Sequence, residues 1–220
     1  MSGPQQGRIR SIVRPEQPST TVPGPHPIPP DALALLTAWL PGDDEPDRPR
    51  MQLATVDADG APDARTVLLS GWDEEGFLLH TDSRSRKVAQ LAADARVALV
   101  ILHPSGSRQL VVRGRAVPTS AAVDALAFER RSPDLRQLAW LNTEELALLP
   151  QEQRAAEWVE FSEVHGPDLP PPATWSGHLV RPDRLTFWEA DPTGPSHRVE
   201  YRLTAGDDTA GGWSVHHLAG

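Results

Sequence analysis

From Met51 onward the chain falls into short β-prone runs separated by tight-turn signals, and this cadence restricts the fold more than any other feature. Residues 52–57 precede Asp59-Gly60, residues 65–72 precede Glu75-Gly76, and residues 77–81 follow. A helical stretch over 83–93, with Val88 and Leu91 on its buried side, interrupts the series. Residues 96–103 and 108–117 then flank the turn-rich Pro104-Ser105-Gly106-Ser107. Helices are expected at 120–130, at 132–140 with Pro133 in the first turn, and at 151–163. Pro167, Pro170, Pro171 and Pro172 break the chain, and strands return at 178–180, 184–189, 197–203 and 213–218. Consecutive short strands with tight turns imply an antiparallel barrel or sandwich, mainly β with flanking helices. They exclude a doubly wound dinucleotide fold, and neither G-x-G-x-x-G nor G-x-x-x-x-G-K occurs.

The N-terminal part reads differently. Residues 1–30 hold eight prolines and few apolar residues, as in an arm outside the core. A helix begins near Asp31, taken as its cap, with Leu33, Leu36, Trp39 and Leu40 on one face. Trp39, Trp140 and Trp158 fall on amphipathic faces and are expected in the core. A chain of 220 residues can bury a large core without staples, and it has no cysteine. That excludes a disulfide scaffold, a thiolate metal site and a cysteine nucleophile. The formal charge of −9 disfavours nucleic acid as a partner. No apolar run is long enough to span a membrane and no export segment is evident, so a cytoplasmic location is expected.

Few constellations carry chemistry. Ser83-Arg84-Ser85-Arg86-Lys87 places three cations and two hydroxyls at a helix start, where free amides and the helix dipole favour an anion. It reads either as a phosphate site or as a solvated basic turn, and Arg65 on a nearby strand favours the phosphate. Lys87 is the only lysine among 21 basic residues. The eight histidines have no ligand spacing, and His216 and His217 point to opposite faces of one strand, so no metal is expected. Trp188 could pack in the core or line a flat aromatic ligand. No G-x-S-x-G elbow is present to support a hydrolase triad.

Five segments in order, MQLATVDADGAPDARTVLL, FLLHTDSRSRKVAQL, SRQLVVRGRA, TWSGHLVRPDRLTFW and HRVEYRL, resemble the pyridoxine/pyridoxamine 5′-phosphate oxidase family. The resemblance implies an FMN-binding split β-barrel, antiparallel, over 31–172 with a helical insertion. Residues 173–220 would supply C-terminal strands and a dimerisation segment of the same domain. It implies a homodimer with FMN at the interface. Arg65, Val67 and Leu68 would follow the flavin along one strand, with Ser70 at its end, and His80 and Thr81 would meet it on the next. Arg86 and Lys87 would hold the FMN phosphate, Gln109 the ring or ribityl region, and Trp188 and Arg202 would arrive across the dimer. Arg65 and Arg202 near the ring would stabilise a reduced, anionic flavin.

The departures from the family pattern lie mostly in the substrate site. Ser70 replaces the lysine that holds the substrate phosphate, and Ala127, Arg131 and Leu135 stand where the pattern has Tyr, Arg and Ser. Glu200 replaces a histidine, His217-Leu218-Ala219-Gly220 replaces R-L-x-P, and Glu144-Glu145 replaces a Gln-Ser pair that supports the flavin phosphate. Each lost hydrogen bond to a phosphate is worth roughly 1–3 kcal/mol, so the losses sum to orders of magnitude in affinity. The expected activity is an oxidase passing hydride to the flavin and then to O₂, with an aromatic, dihydro-aromatic or amine intermediate of specialised metabolism, of phenazine type, as substrate. Ser70, Arg131, Arg198 and Glu200 would bind substrate; Arg198 would orient it, and Glu200 would act as a base or pair with Arg198 or Arg202. Two alternatives stand: a genuine pyridoxal 5′-phosphate-forming oxidase, and a flavin- or ligand-binding module without turnover.

Overall fold

The computed structural model describes residues 26–41, 48–204 and 212–220. Most of the Pro-rich arm, residues 1–25, lies outside the described residues. Among the described residues six helices and nine strands follow one another: α1 (Pro30–Trp39), β1 (Arg50–Val56), β2 (Pro62–Leu68), β3 (Gly71–Asp73), β4 (Gly76–Asp82), α2 (Arg86–Ala93), β5 (Arg96–Leu102), β6 (Arg108–Pro118), α3 (Ala121–Glu129), α4 (Pro133–Leu141), α5 (Glu144–Ala147), α6 (Gln151–His165), β7 (Trp175–Glu189), β8 (His197–Leu203) and β9 (Trp213–Ala219). Every strand pairing is antiparallel. The sheet runs β2-β1-β5-β6-β7-β4-β3, with β8 and β9 branching from β7. It curls until β2 approaches β4, and the Ser70 N–H donates to the Leu78 carbonyl at 2.8 Å. This is the split barrel.

Strand β7 makes the split. Its first half pairs with β4 and its second half with β8, while β6 runs along the opposite edge throughout. The sequence pattern suggests two strands here because Pro182 and Asp183 interrupt the apolar run. One continuous strand forms instead. The register shifts at Arg113/Gly114, so Gly114 opposes Pro182 and Arg113 opposes Arg184, leaving Asp183 as an extra residue. A bulge tolerates a proline that lacks the ladder donor. Gly114 is needed opposite it, because a Cβ there would fall within 3.0 Å of the Arg181 carbonyl. In the other direction, the expected strand over 65–72 is divided into β2 and β3.

Alternation sorts each strand into two faces. One register row, Arg65–Leu53–Leu99–Val112–Leu185–Tyr201, points into the barrel, and Leu53, Leu99, Val112, Leu185 and Tyr201 belong to its core. The next row, Thr66–Gln52–Val100–Val111–Thr186–Glu200, points outward. Helix α1 closes one end of the barrel through Ala32 and Leu36, and Trp39 meets Phe187 edge-on. Asp31 is not its cap: Pro29 holds that position, and Asp31 lies in the first turn beside the buried Tyr201 phenol. Burial, with the Asp31 carboxylate added, pushes that phenol up to about 12. The boundary at residue 30 also falls too late. Ile28 is buried in the core, its N–H donates to the Glu74 carbonyl, and Trp213 holds the Pro27 carbonyl.

Helices α3 and α4 start where serine caps predict, at Ser120 and Ser132. Trp140 does not enter the core; it stays exposed, with its indole N–H on the Pro170 carbonyl. Helix α6 buries no residue, and the buried Gln137 of α4 ties it down through a 2.6 Å hydrogen bond to the Trp158 carbonyl. No helix among the described residues is long and apolar enough to cross a membrane.

Candidate functional site

The cations singled out in the sequence meet at the start of α2. Ser85 holds the N-cap position with extended backbone and no side-chain cap bond; the Val88 N–H donates to its carbonyl at 2.9 Å, and its hydroxyl caps neither the Arg86 nor the Lys87 amide. Lys87 is half-buried, and its ammonium donates to Thr81 Oγ1 at 3.0 Å. Burial, with the Arg65 charge added, lowers its pKa, and among the described residues no carboxylate forms an ion pair with it. Arg65 donates to Thr55 Oγ1 at 2.6 Å and to Gln90 Oε1 at 2.8 Å, and pairs with Asp63 at 2.8 Å. Arg86 reaches the same Asp63 oxygen at 3.3 Å, and Gln90 donates to it at 3.0 Å. The Gln90 hydrogen bond and the two guanidinium charges hold the Asp63 carboxyl below its usual range. Sequence reasoning names neither Asp63 nor Gln90; the position of Gln90 one turn from Arg86 was the available signal.

Arg84, the third cation of the motif, turns away to Asp82 at 2.8 Å. Glu144 and Glu145 sit on α5, capped by Thr143, near enough to Arg84 to raise its pKa further after Asp82. What remains at α2 is an ammonium without an ion-pair partner among the described residues, a second cation nearby and the uncapped Arg86 and Lys87 amides. That donor set fits the phosphate tail of a mononucleotide.

A second group of predicted residues lies on the outward face. The register places Gln109 beside Trp188 and Trp188 beside Arg198, across β6, β7 and β8. Glu200 and Arg202 continue the same face of β8. Glu200 is buried, accepts from Thr186 Oγ1 at 3.0 Å and from Arg202 Nε, and has Arg184 at 4.0 Å. Burial alone would raise its carboxyl pKa; the bonds from Arg202 and Thr186 outweigh it and hold the pKa down. The pairing with Arg202, rather than with Arg198, is therefore the one that forms. Arg65 and Arg202 do not share a ring within one chain, since Arg65 lies at α2 on the inward face.

His80 and Arg131 are elsewhere again. His80 points toward α3, its side chain fully buried, with Nε2 3.3 Å from Asp124 and its ring stacked on Trp175 at 5.1 Å. The Arg131 guanidinium lies 4.5 Å from the Trp175 ring, and burial lowers its pKa to about 10. Trp175 donates to the Asp124 carbonyl at 2.9 Å. Gly177 lets the cluster close: a Cβ there would come within 3.0 Å of Thr119 Oγ1, Asp124 Oδ1 and His80 Nε2.

Val67 packs on the core, and Leu68, opposite Arg50, lines a cleft of about 1070 Å³. The cleft lies between the end of α1, the start of β1, the end of β2, the β5–β6 hairpin and the first turns of α4. Leu135 belongs to its wall; Ser70 and Arg131 do not.

The comparisons bear on this arrangement. Residues 44–163 match the pattern of the pyridoxamine 5′-phosphate oxidase family. The pyridoxine/pyridoxamine 5′-phosphate oxidase of Burkholderia multivorans is 37% identical over 176 residues, covering 79% of this chain and 80% of that protein. The enzyme of the same description from Crocosphaera subtropica is 34% identical over 77% of this chain and 78% of its own length. Among solved structures, PhzG from Burkholderia lata 383, in complex with tetrahydrophenazine-1-carboxylic acid, superposes with a TM-score of 0.67 at 23% identity, covering 86% of this chain and 89% of that one. A pyridoxamine 5′-phosphate oxidase-related, FMN binding protein from Nostoc punctiforme gives 0.52 at 19% identity, with 78% and 88% covered. With the split barrel and a phosphate-fitting helix start already in place, these matches make the chain a member of the pyridoxamine 5′-phosphate oxidase family, an oxidoreductase of the FMN-dependent type.

Proposed function

We propose that this chain is an FMN-dependent oxidase of specialised metabolism whose substrate is an unphosphorylated cyclic intermediate. Lys87, Arg86 and the first-turn amides of α2 would hold the FMN phosphate, with Arg65 beside them. Val67 and Leu68 would flank the flavin along β2, with the backbone at Ser70, His80 and Thr81 close to it. When bound, FMN supplies two-electron redox chemistry, with O₂ as the proposed final acceptor. Trp188 and Arg202 lie on the outward face while Arg65 faces inward, which supports a homodimer in which a second copy supplies the outward pair. Arg198, beside Trp188, would orient the substrate. Glu200, engaged by Arg202 and Thr186, would fix Arg202 in place.

The observation carrying the substrate reading is the fate of the four phosphate-gripping positions. Ser70, Ala127 and Leu135 bring no cation, and the Arg131 guanidinium lies on Trp175, outside the cleft. The PhzG complex, with a reduced tricycle that carries no phosphate, is a precedent on this fold. A second reading, a true pyridoxine/pyridoxamine 5′-phosphate oxidase, draws on the curated relatives and on the partly buried Arg131, which has no ion-pair partner among the described residues. Peroxide release by the FMN-loaded protein separates them. Dihydro-aromatic rings without phosphate should turn over, and pyridoxamine 5′-phosphate should saturate only in the millimolar range. Micromolar saturation by pyridoxamine 5′-phosphate establishes the second reading, and a protein that takes up no FMN defeats both in favour of a non-catalytic module.

A further inference from the structure

The His80–Asp124 cluster lies one residue from the phosphate site, but on the other side of β4. Successive residues of a strand face opposite sides, so the His80 and Thr81 side chains point away from each other. On one side Thr81 Oγ1 accepts from the Lys87 ammonium at 3.0 Å and lies 3.4 Å from the Ser85 hydroxyl. On the other, His80 Nε2 lies 3.3 Å from Asp124 Oδ1, which also accepts from the Thr119 hydroxyl. The start of α2 hangs from the same strand end. The Asp82 carbonyl accepts the Ser85 N–H at 3.0 Å, and the Asp82 carboxylate accepts the Arg84 N–H at 2.7 Å. The ladder with β7 stops there, with Asp82 opposite Trp175. The end of a ladder is where a strand frays, and His80, Thr81 and Asp82 form its last three rungs.

Those rungs are held from the α3 side. The Thr119 N–H donates to the Gly177 carbonyl at 3.1 Å, which seats the segment leading into α3 on β7, opposite His80. The His80 ring, fully buried, stacks on Trp175 at 5.1 Å, and Trp175 gives its indole N–H to the Asp124 carbonyl at 2.9 Å. Asp124 thereby meets both strands, β4 through its carboxylate and β7 through its carbonyl. Burial alone would raise its carboxyl pKa; the contacts with His80 and Thr119 outweigh it and hold the pKa down. We propose that Asp124 is a positioning residue for the FMN phosphate: it holds His80 against α3 so that Thr81, on the opposite side of β4, keeps the Lys87 ammonium aimed at the phosphate. Asp124 acts only through the backbone of β4. The inference rests on the phosphate assignment made above.

The test compares FMN with riboflavin, which has the same ring and ribityl chain but no phosphate, on the full-length protein freed of cofactor. Flavin fluorescence quenching reads both affinities. The parent should bind FMN about 100-fold or more tighter, since the phosphate engages more than one charge-assisted bond. Asp124→Ala should cut that preference about tenfold and leave riboflavin affinity within about threefold of the parent. The direction separates alignment from charge. Removing a negative charge near the site would, by Coulomb's law alone, strengthen FMN binding, so weaker binding reports lost alignment. Val123→Ala thins the packing of the same helix on Leu78 and Leu179 and leaves the Asp124 carboxylate in place. It should lower the melting temperature and keep the parent preference. Thr119→Val frees Asp124 from one hold and should cut the preference about threefold, so it carries the test if Asp124→Ala does not fold. An unchanged or increased preference in these Asp124 and Thr119 variants, an equal loss of both flavins, or the same loss of preference in Val123→Ala overturns the proposal. A parent that binds riboflavin as tightly as FMN defeats the phosphate assignment itself, so the two failures are told apart.

Discussion

Replacing Lys87 with methionine should weaken FMN binding and stabilise the cofactor-free protein at the same time. The opposite signs come from one feature. The ammonium is half-buried, makes its hydrogen bond to Thr81, and has no ion-pair partner among the described residues. Methionine keeps most of the methylene packing and removes the charge. For the bound phosphate, the loss is one charge-assisted hydrogen bond, about 1.5–3 kcal/mol, or roughly a 10- to 150-fold rise in Kd. For the free protein, removing a partly desolvated cation should gain about 0.5–1 kcal/mol, small because half the side chain still meets water. At this chain length that is a Tm rise of about 1–4 °C. The sign of the pH dependence follows. The folded-state pKa lies below the ordinary 10.5, so the unfolded chain binds the proton more tightly. The penalty is therefore full at neutral pH and fades as pH rises from the folded pKa toward 10.5, an alkaline gain that the variant should lack. Flavin fluorescence quenching gives Kd, and thermal melts of cofactor-free protein give the other half. A Kd within about threefold of the parent, or a fall in Tm, would refute the assignment of Lys87 as an anion ligand held at an electrostatic cost.

Other outcomes are equally checkable. Gly177→Ala should lower stability by about 1–3 kcal/mol, since the added methyl meets three polar atoms, and thermal melts should show it. Glu200→Gln should loosen Arg202 and reduce FMN affinity without removing a limb from the pH–rate profile; loss of a limb would make Glu200 a base. Because its folded-state pKa is depressed, the stability Glu200 contributes is present above the ordinary value of 4.5 and lost as pH falls through the folded pKa, which acid melts of the variant should no longer show. Gln137→Leu removes the bond to the Trp158 carbonyl, costing about 1–3 kcal/mol and speeding proteolysis within 150–165 ahead of the barrel.

Much of the barrel is legible in local chemistry. Turn pairs such as Asp59-Gly60, the caps Ser120 and Ser132, and the alternation in β1, β5 and β6 each act within a few residues, so the chain itself displays them. What is hidden depends on partners far away in sequence. Pro182 is tolerated in β7 only because Gly114 opposes it. Ile28 is core because Glu74 and Trp213 hold the segment around it. Trp140 remains outside, with Phe161 of α6 and the Pro170 carbonyl beside it. At the site, the cationic helix start is visible as a motif, yet Asp63 and Gln90 are not, since only the folded sheet brings them to Arg65. The side-chain direction of His80 is likewise a matter of strand parity, settled by the pairing of β4 with β7.

Arg65, Arg86 and Gln90 all converge on one oxygen of Asp63, so the protein carries a resident anion beside its entrance for an external one. An arriving phosphate that recruits Arg86 must draw it off that oxygen, making uptake a swap of counter-ions. Much of the attraction is thereby cancelled on both sides of the equilibrium. The empty form keeps its guanidinium groups ordered, and loading should proceed with little rearrangement of β2 or α2.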